Sequence, residues 1–494
     1  MHVQSVFPFH HRRLFSAVRY LRVVRDTPDK ALPKKRDIGC PSCYHGGEKG
    51  SEEGWVNPVA RRKSALWFLL LLLTVLLLSP WFSAPSPTSP EVRESRGGPA
   101  AAAVPVAEKE PVRIRVAAAL NEQEFRFLQK QNDESAYRHP DIVVEFIRID
   151  PEAAYLQFRE AFRLGEAADV MLVENEWIKK FAASGYLLPV DGAFMGESLA
   201  EQFDALSASV KWNDYLWGVP RDFDPYVVVW NLSVLNTLLG DTAVTPQGTA
   251  QWRLLAEKSR ESGKATAWLA IQESDAFAWL AWLQTVTGQR SDTIWTDGPD
   301  IWNGSPRADA MALLDQERQG VHYAAGDAQA AALVAAGKAA AAVLPYSEAL
   351  KLTQKNTDKG AGAIVMDRGA WRQPFHWPRG RSFVVSSRTQ AEDAARKWIE
   401  IMTESGMQQD NVRMFGKLPV YRSMYGPDSI RVSLFSGSSA GTFPNLPPAD
   451  DEPSLPDRLS SLLRLWSEWA GGRMTLDDWI RRWPETSAEL QLND

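Results

Sequence analysis

From Val112 onward the hydrophobic positions fall into short blocks with two different periods. VRIRVAAAL alternates and then turns wholly apolar, as a strand does on entering a buried sheet. EFRFLQKQNDESAYRHP follows as an amphipathic stretch, then IVVEFIRI as a second strand, PEAAYLQFREAFRLGEA as a helix and DVMLV as a third strand leading into ENEWIKKFAASGYLLPVD. This β–α–β spacing predicts a parallel sheet with helices on both faces, an α/β fold. Further on, YVVVWN reads as a strand, residues 251–263 and 276–287 as helices, and AAALVAAGKAAAAVLPY as a helix running into a strand. IVMD and SFVVSS read as short strands, AEDAARKWIEIMTE as a helix, and LPDRLSSLLRLWSEWAGGRMTLDDWIRRW as two helices joined at Gly471-Gly472.

Upstream of Val112 the pattern is different. Arg61, Arg62 and Lys63 precede an uncharged apolar run from Ser64 to Ser83, close to the roughly 20 residues that a helix needs to cross a bilayer. Residues 84–111 are rich in Pro, Ala, Ser and Glu, bury too little to fold, and read as a tether. The net charge of -6 divides at this run: residues 1–83 carry +7 and residues 84–494 carry -13. Basic residues on the N-terminal flank place residues 1–63 in the cytoplasm and the acidic body outside it. The expectation is a single-pass protein of the cell membrane with an extracellular C-terminal domain. Pro85 disfavours cleavage after the Ser-x-Ala residues near Ala84, so the anchor is expected to be retained. Glu52-Glu53-Gly54 can be encoded by a ribosome-binding sequence just ahead of Val56, whose codon as GTG would be a start; translation is expected to begin there.

An acidic body argues against a nucleic-acid partner, because phosphates would be repelled. Cys40 and Cys43 form a lone CxxC upstream of the membrane run, without the second pair that a four-thiolate zinc site needs. Past residue 84 there is no cysteine, and the histidines are His139, His322 and His376, with no HExxH, so no catalytic residue, metal or cofactor is expected. Gly437 to Gly441 spells G-x-S-x-G, but TFPNLPP follows, through which no helix can start, so it reads as a loop rather than a nucleophile elbow. Tryptophan is the positive signal. Trp177, Trp217, Tyr226, Tyr346, Trp371 and Trp377 fall where the chain leaves or approaches strands, and the ligand crevice of an open α/β sheet lies at strand ends. Aromatic faces there suit the C–H faces of sugars. Trp230, Trp252, Trp398, Trp466 and Trp479 read as core.

Five segments in order resemble the extracellular solute-binding proteins of ATP-driven importers, the group that includes maltose- and oligosaccharide-binding proteins. WNDYLWGVPRDFDPYVVVWNLSVL is similar to the family's Gly-Val-Pro strand running into a second lobe, with Trp230-Asn231 for the usual Tyr-Asn. DVMLVENEWIKKFAASGYLLPVD, GKAAAAVLPYSEAL, SFVVSSRTQAEDAARKWIEIMT and FGKLPVYRSMY match further family elements. The resemblance implies a two-lobed clamshell of the type II periplasmic-binding-protein kind over residues 112–494, here preceded by one transmembrane helix. Lobe one would comprise about 112–222 and 380–425, and lobe two about 226–370 and 426–494. The hinge would pass through Arg221 to Tyr226. By position, the ligand would be met by Glu174, Asn175, Glu176 and Trp177, by Arg221, Asp222, Asp224 and Tyr226, by Tyr346, and by Trp371, His376 and Trp377.

The function implied is capture of a carbohydrate, an oligosaccharide by family habit, and delivery to the permease subunits of an ABC importer, by a monomer that makes and breaks no bond. Two alternatives share the architecture: a solute sensor that partners a membrane histidine kinase, and an anchored glycoside hydrolase.

Overall fold

The computed structural model describes residues 110–191, 201–240, 244–263, 265–356, 363–367, 375–425, 446–449 and 452–486. The apolar run at 64–83, the tether, the CxxC, the G-x-S-x-G match and Trp371 lie outside these. Among the described residues no helix is long and apolar enough to cross a membrane.

The strands are β1 (Val112–Ala119), β2 (Ile142–Ile149), β3 (Val170–Glu174), β4 (Leu187–Leu188), β5 (Lys211–Trp212), β6 (Tyr215–Leu216), β7 (Val219–Phe223), β8 (Tyr226–Asn231), β9 (Ala267–Gln272), β10 (Val321–Ala324), β11 (Ala339–Pro345), β12 (Ile364–Met366) and β13 (Gly380–Ser386). They form two main sheets. The first runs β2-β1-β3-β13-β4 with β7 alongside β13; β1 is parallel to β2 and β3, while β13 is antiparallel to β3, β4 and β7. The second runs β10-β9-β11-β8-β12, with β9 parallel to β10 and β11, and β8 antiparallel to β11 and β12. The parallel sheet read from the β–α–β spacing is therefore mixed in both lobes. Each antiparallel member enters by a crossing: β8 arrives from the first lobe, and β13 returns to it.

Local sequence explains the element boundaries. Asn121 caps the helix Glu122–Ser135, and Phe125 and Leu128 turn its apolar face onto the first sheet. In GKAAAAVLP the switch from helix to strand falls at Gly337, whose φ of +67° is a conformation that suits glycine. The next residues form β11, buried throughout.

Tryptophan fills the second lobe. Trp252 and Trp282 meet edge to face with ring centroids 6.4 Å apart, and Trp230 and Trp268 pack on the same group. Trp279 and Trp302 pack against Trp466, Trp479 and Trp483 of the C-terminal helical segments. The helix Leu455–Ala470 thus belongs to the core of the second lobe. Its first turn also reaches the first lobe, where Asp457 pairs with Lys180 at 3.2 Å.

The crossing is shorter than the sequence reading placed it. Arg221 and Asp222 are strand residues of β7, paired with β13, and only Asp224 and Pro225 lie between β7 and β8. β7 and β13 approach so closely that a Cβ at Gly380 would lie 2.1 Å from the carbonyl oxygen of Asp222, so no larger residue fits there.

Candidate functional site

Charges inside a buried strand are stable only when partners are supplied, and β13 and the first helix supply them. Arg381 donates to Asp222 at 2.6 Å and to the two oxygens of Glu124 at 3.2 and 3.3 Å. Asn121 fixes Glu124 in turn, accepting its backbone N–H at 3.0 Å and donating to its carboxylate at 2.9 Å. Lys417 adds an ion pair to Glu124 at 2.8 Å, and Asn411 a hydrogen bond to Asp222 at 3.4 Å. Burial alone would raise both carboxyls. For Glu124, Arg381 and Lys417 outweigh it and hold the group well below the usual carboxylate range; for Asp222, Arg381, Lys417 and Arg221 leave it at about 2. Arg221 is pulled down to about 10 by burial, against the field of Asp222. It stacks toward Phe383, with its guanidinium 6.0 Å from the ring.

In front of this cluster lies a cavity of about 250 Å³ between the lobes. The first lobe contributes Glu124, Glu174, Asp222 and Arg381, and the second contributes Asp327, Ser347, Glu348 and Lys351. Asp224, at the crossing, accepts from the backbone N–H of Ser347 at 2.9 Å and from its hydroxyl at 2.7 Å, capping the helix that starts at Tyr346. Arg379, on the return crossing, pairs with Asp275 at 2.8 Å and lies over the rings of Tyr226 and Phe277 at 4.9 and 5.4 Å. Burial, opposed by Arg379 and reinforced by Asp275, Asp224 and Glu348, pushes Asp327 up to about 7. Burial also raises Glu174, against Arg381 and Arg379, while burial together with the Glu174 carboxylate pushes Glu176 up to about 8.

The residues expected from the sequence divide into three groups. Glu174, Asp222 and Asp224 line the interlobe cavity. Tyr226, His376 and Trp377 line a smaller void of about 30 Å³ that opens beside Arg379, and Asn175, Glu176 and Trp377 border a third, of about 10 Å³. Asn175 acts as a clasp there: it donates to the carbonyl of Pro378 at 3.0 Å and accepts from Ser382 at 2.6 Å. Tyr226 donates to Asp275 at 2.9 Å, and Trp377 to the Ser291 hydroxyl at 2.9 Å.

Trp177, Arg221 and Tyr346 are not on the wall of the large cavity. Trp177 packs edge to face on Tyr155 at 5.4 Å, half-buried against the first-lobe core. Tyr346 is 3% exposed in the cluster under β8 and β11. Trp217 lies against Trp212, donating its indole N–H to the Trp212 carbonyl at 2.9 Å. Of the cavity's described lining only Phe415 is aromatic. Glu124, Asp327, Ser347, Arg379, Arg381 and Lys417 were not anticipated. The one local signal for them was RGR in HWPRGRSFVV, two arginines around a glycine at the mouth of an apolar strand.

Among the described residues no group of three or more His, Cys, Asp or Glu side chains is arranged to hold a metal ion. The site can bind and orient a polar solute through carboxylates, cations and hydroxyls presented from both lobes.

Solved structures share the fold. The GacH receptor of Streptomyces glaucescens, studied unliganded and with acarbose, superposes with a TM-score of 0.58 at 17% identity over 76% of this chain and 96% of its own. The sugar-binding protein MalE of Xanthomonas citri gives 0.59 at 16% identity, covering 76% and 96%. The galacto-N-biose/lacto-N-biose I-binding protein of Bifidobacterium longum gives 0.57 at 16% identity, again covering 76% and 96%. A comparison with curated proteins gives no match. The sequence profile of the bacterial extracellular solute-binding proteins matches residues 119–409, more than half of the chain and both of its sheets. With its two-lobed α/β body, this chain belongs to the bacterial extracellular solute-binding protein family.

Proposed function

We propose that the protein captures a carbohydrate in the cavity between its lobes and hands it to the permease subunits of an ABC importer, without chemical change to the solute. The observation that carries this reading is the polar cavity walled by both lobes at the mouth of the crossing strands. A ligand that touches both walls favours the closed state by its differential contacts. Similar structures with acarbose and lacto-N-biose support the choice of a sugar. At about 250 Å³ the cavity is below the roughly 300 to 1,000 Å³ of pockets for drug-sized ligands, so it suits a small sugar or the end unit of an oligosaccharide. The apolar run at 64–83 would anchor the body to the outer face of the cell membrane through the tether. No cofactor is needed, and one copy suffices to form the cleft.

The test is thermal unfolding of the chain, in detergent, against a panel of mono- and oligosaccharides. A ligand at a hundred times its dissociation constant adds about 2.7 kcal/mol and raises the melting temperature. If no saccharide shifts the transition while a peptide or lipid-like solute does, the sugar assignment is wrong.

A further inference from the structure

Among the described residues the cavity's charges do not cancel: six carboxylates line it, Glu124, Glu174, Asp222, Asp224, Asp327 and Glu348, against the cations Lys351, Arg379, Arg381 and Lys417. The cations are already engaged: Arg381 with Asp222 and Glu124, Lys417 with Glu124, Lys351 with Glu348 at 2.7 Å, and Arg379 with Asp275, which lies outside the lining. Among the described residues no ion pair reaches Glu174, Asp224 or Asp327. Asp224 is satisfied by Ser347. Glu174, half-buried at the end of β3, makes no side-chain hydrogen bond to another described residue, and Oδ1 of Asp327 is shielded from solvent and unpartnered. One stands on each lobe, and both face the same space.

Two of the helix N-termini at the cavity, which would otherwise attract an anion, are occupied by the chain's own acceptors, while the third begins at Asp327 itself, whose carboxylate sets a negative charge there. Asn121 takes the Glu124 N–H and Asp224 takes the Ser347 N–H. The walls also lack the aromatic platform on which a neutral sugar would stack, Phe415 being the one ring among the described lining. What the cavity offers is hydrogen-bonding groups together with two carboxylates that no ion pair reaches among the described residues.

We infer that the solute carries a protonated amine alongside its hydroxyl groups, an amino sugar or a similarly hydroxylated amine, and that Glu174 and Asp327 receive the ammonium side from opposite lobes. This deepens the carbohydrate reading and rests on it. A cation between the two carboxylates would relieve the cost of holding them out of water and make closure depend on the ligand's charge.

The experiment is isothermal titration of the full chain, in detergent, with glucosamine and its β-1,4-linked dimer, beside glucose, cellobiose and the N-acetylated counterparts. The amines are expected to bind at least about tenfold more tightly than the neutral sugars, as charge-assisted hydrogen bonds allow. Glu174→Gln and Asp327→Asn are isosteric, and their unliganded melting temperatures check that they fold. Each should lose about tenfold for the amines and little for the neutral sugars. Equal or tighter binding of the neutral sugars, or amine binding unaffected by both substitutions, overturns the inference and leaves the sugar cleft standing. Binding of neither set overturns the inference and the sugar reading together.

Discussion

Replacing Arg381 with Met tests the account of the buried cluster most directly. The guanidinium neutralises Asp222, 1% exposed, and shares Glu124, 6% exposed, with Lys417. Methionine keeps much of the side chain's volume and removes the charge. Glu124 retains Lys417, and Asp222 retains Arg221 at 3.6 Å and Asn411 at 3.4 Å, so the loss to be reckoned is one buried pair at the low end of about 3 to 5 kcal/mol. The pH dependence carries a sign that packing alone would not produce. In the native protein Asp222 titrates at about 2 against an ordinary 3.8, so its contribution is full above 3.8 and fades as the pH falls toward 2. Without Arg381 the folded value rises, because burial is the largest influence on the group and only Lys417 and Arg221 still oppose it. The unfolded state being common to both proteins, the variant's deficit is full above that raised value and shrinks as the pH falls from it toward the native value of about 2. Urea unfolding followed by far-ultraviolet circular dichroism, at neutral pH and in steps down to about pH 3, measures both. A loss under about 1 kcal/mol at neutral pH, the level of an ordinary surface pair, would refute the reasoning, as would a gap between the proteins that does not narrow in acid.

Gly380→Ala forces β7 and β13 apart, because the new methyl group meets backbone, not a movable side chain; a loss of about 3 kcal/mol or more is expected, and an unchanged melting temperature would contradict the close approach. Asp224→Ala removes the cap on the helix at Tyr346 and should cost about 1 kcal/mol, with Asp224→Asn recovering part of it in urea titrations. Glu176 titrates at about 8 in the fold against an ordinary 4.5, so the native state holds the extra proton and stability falls as pH rises through that window. The full shift would be worth about 5 kcal/mol, and water reaching the cleft reduces it; Glu176→Gln should flatten the slope, whereas a native stability that rises from about pH 5 to about pH 8 would exclude it.

The strand blocks were readable because each is a continuous apolar run whose meaning is local: VRIRVAAA, VMLVE and GRSFVVS all form where their patterns place them. Sheet order was less so, since the antiparallel insertion of β13 between β3 and β4 depends on where a distant segment returns. The charged stretch PRDFDP read as a hinge because a buried strand should not hold bare charges. That inference lacked the partners: Arg381 lies 159 residues from Asp222 and 257 from Glu124. The aromatic reading met the same limit. Trp177, at a strand end, turns onto Tyr155, which itself stacks on Phe181, rather than into the cavity, and a sequence position does not give a side chain's direction. Trp177→Ala is accordingly expected to destabilise the first lobe by packing loss instead of acting on the ligand.

The uneven placement of tryptophan also has an optical consequence. Of the fully buried indoles, Trp230, Trp252, Trp268, Trp279, Trp282, Trp466, Trp469 and Trp479 lie in the second lobe and Trp398 in the first. Intrinsic emission is therefore chiefly a witness to one half of the molecule. A denaturation curve recorded by fluorescence would follow the second lobe and pass over early loosening around Arg381, whereas the circular dichroism signal weighs both halves. If the two lobes melt as one, the curves coincide; a first lobe that yields sooner would separate them, with the dichroic transition leading.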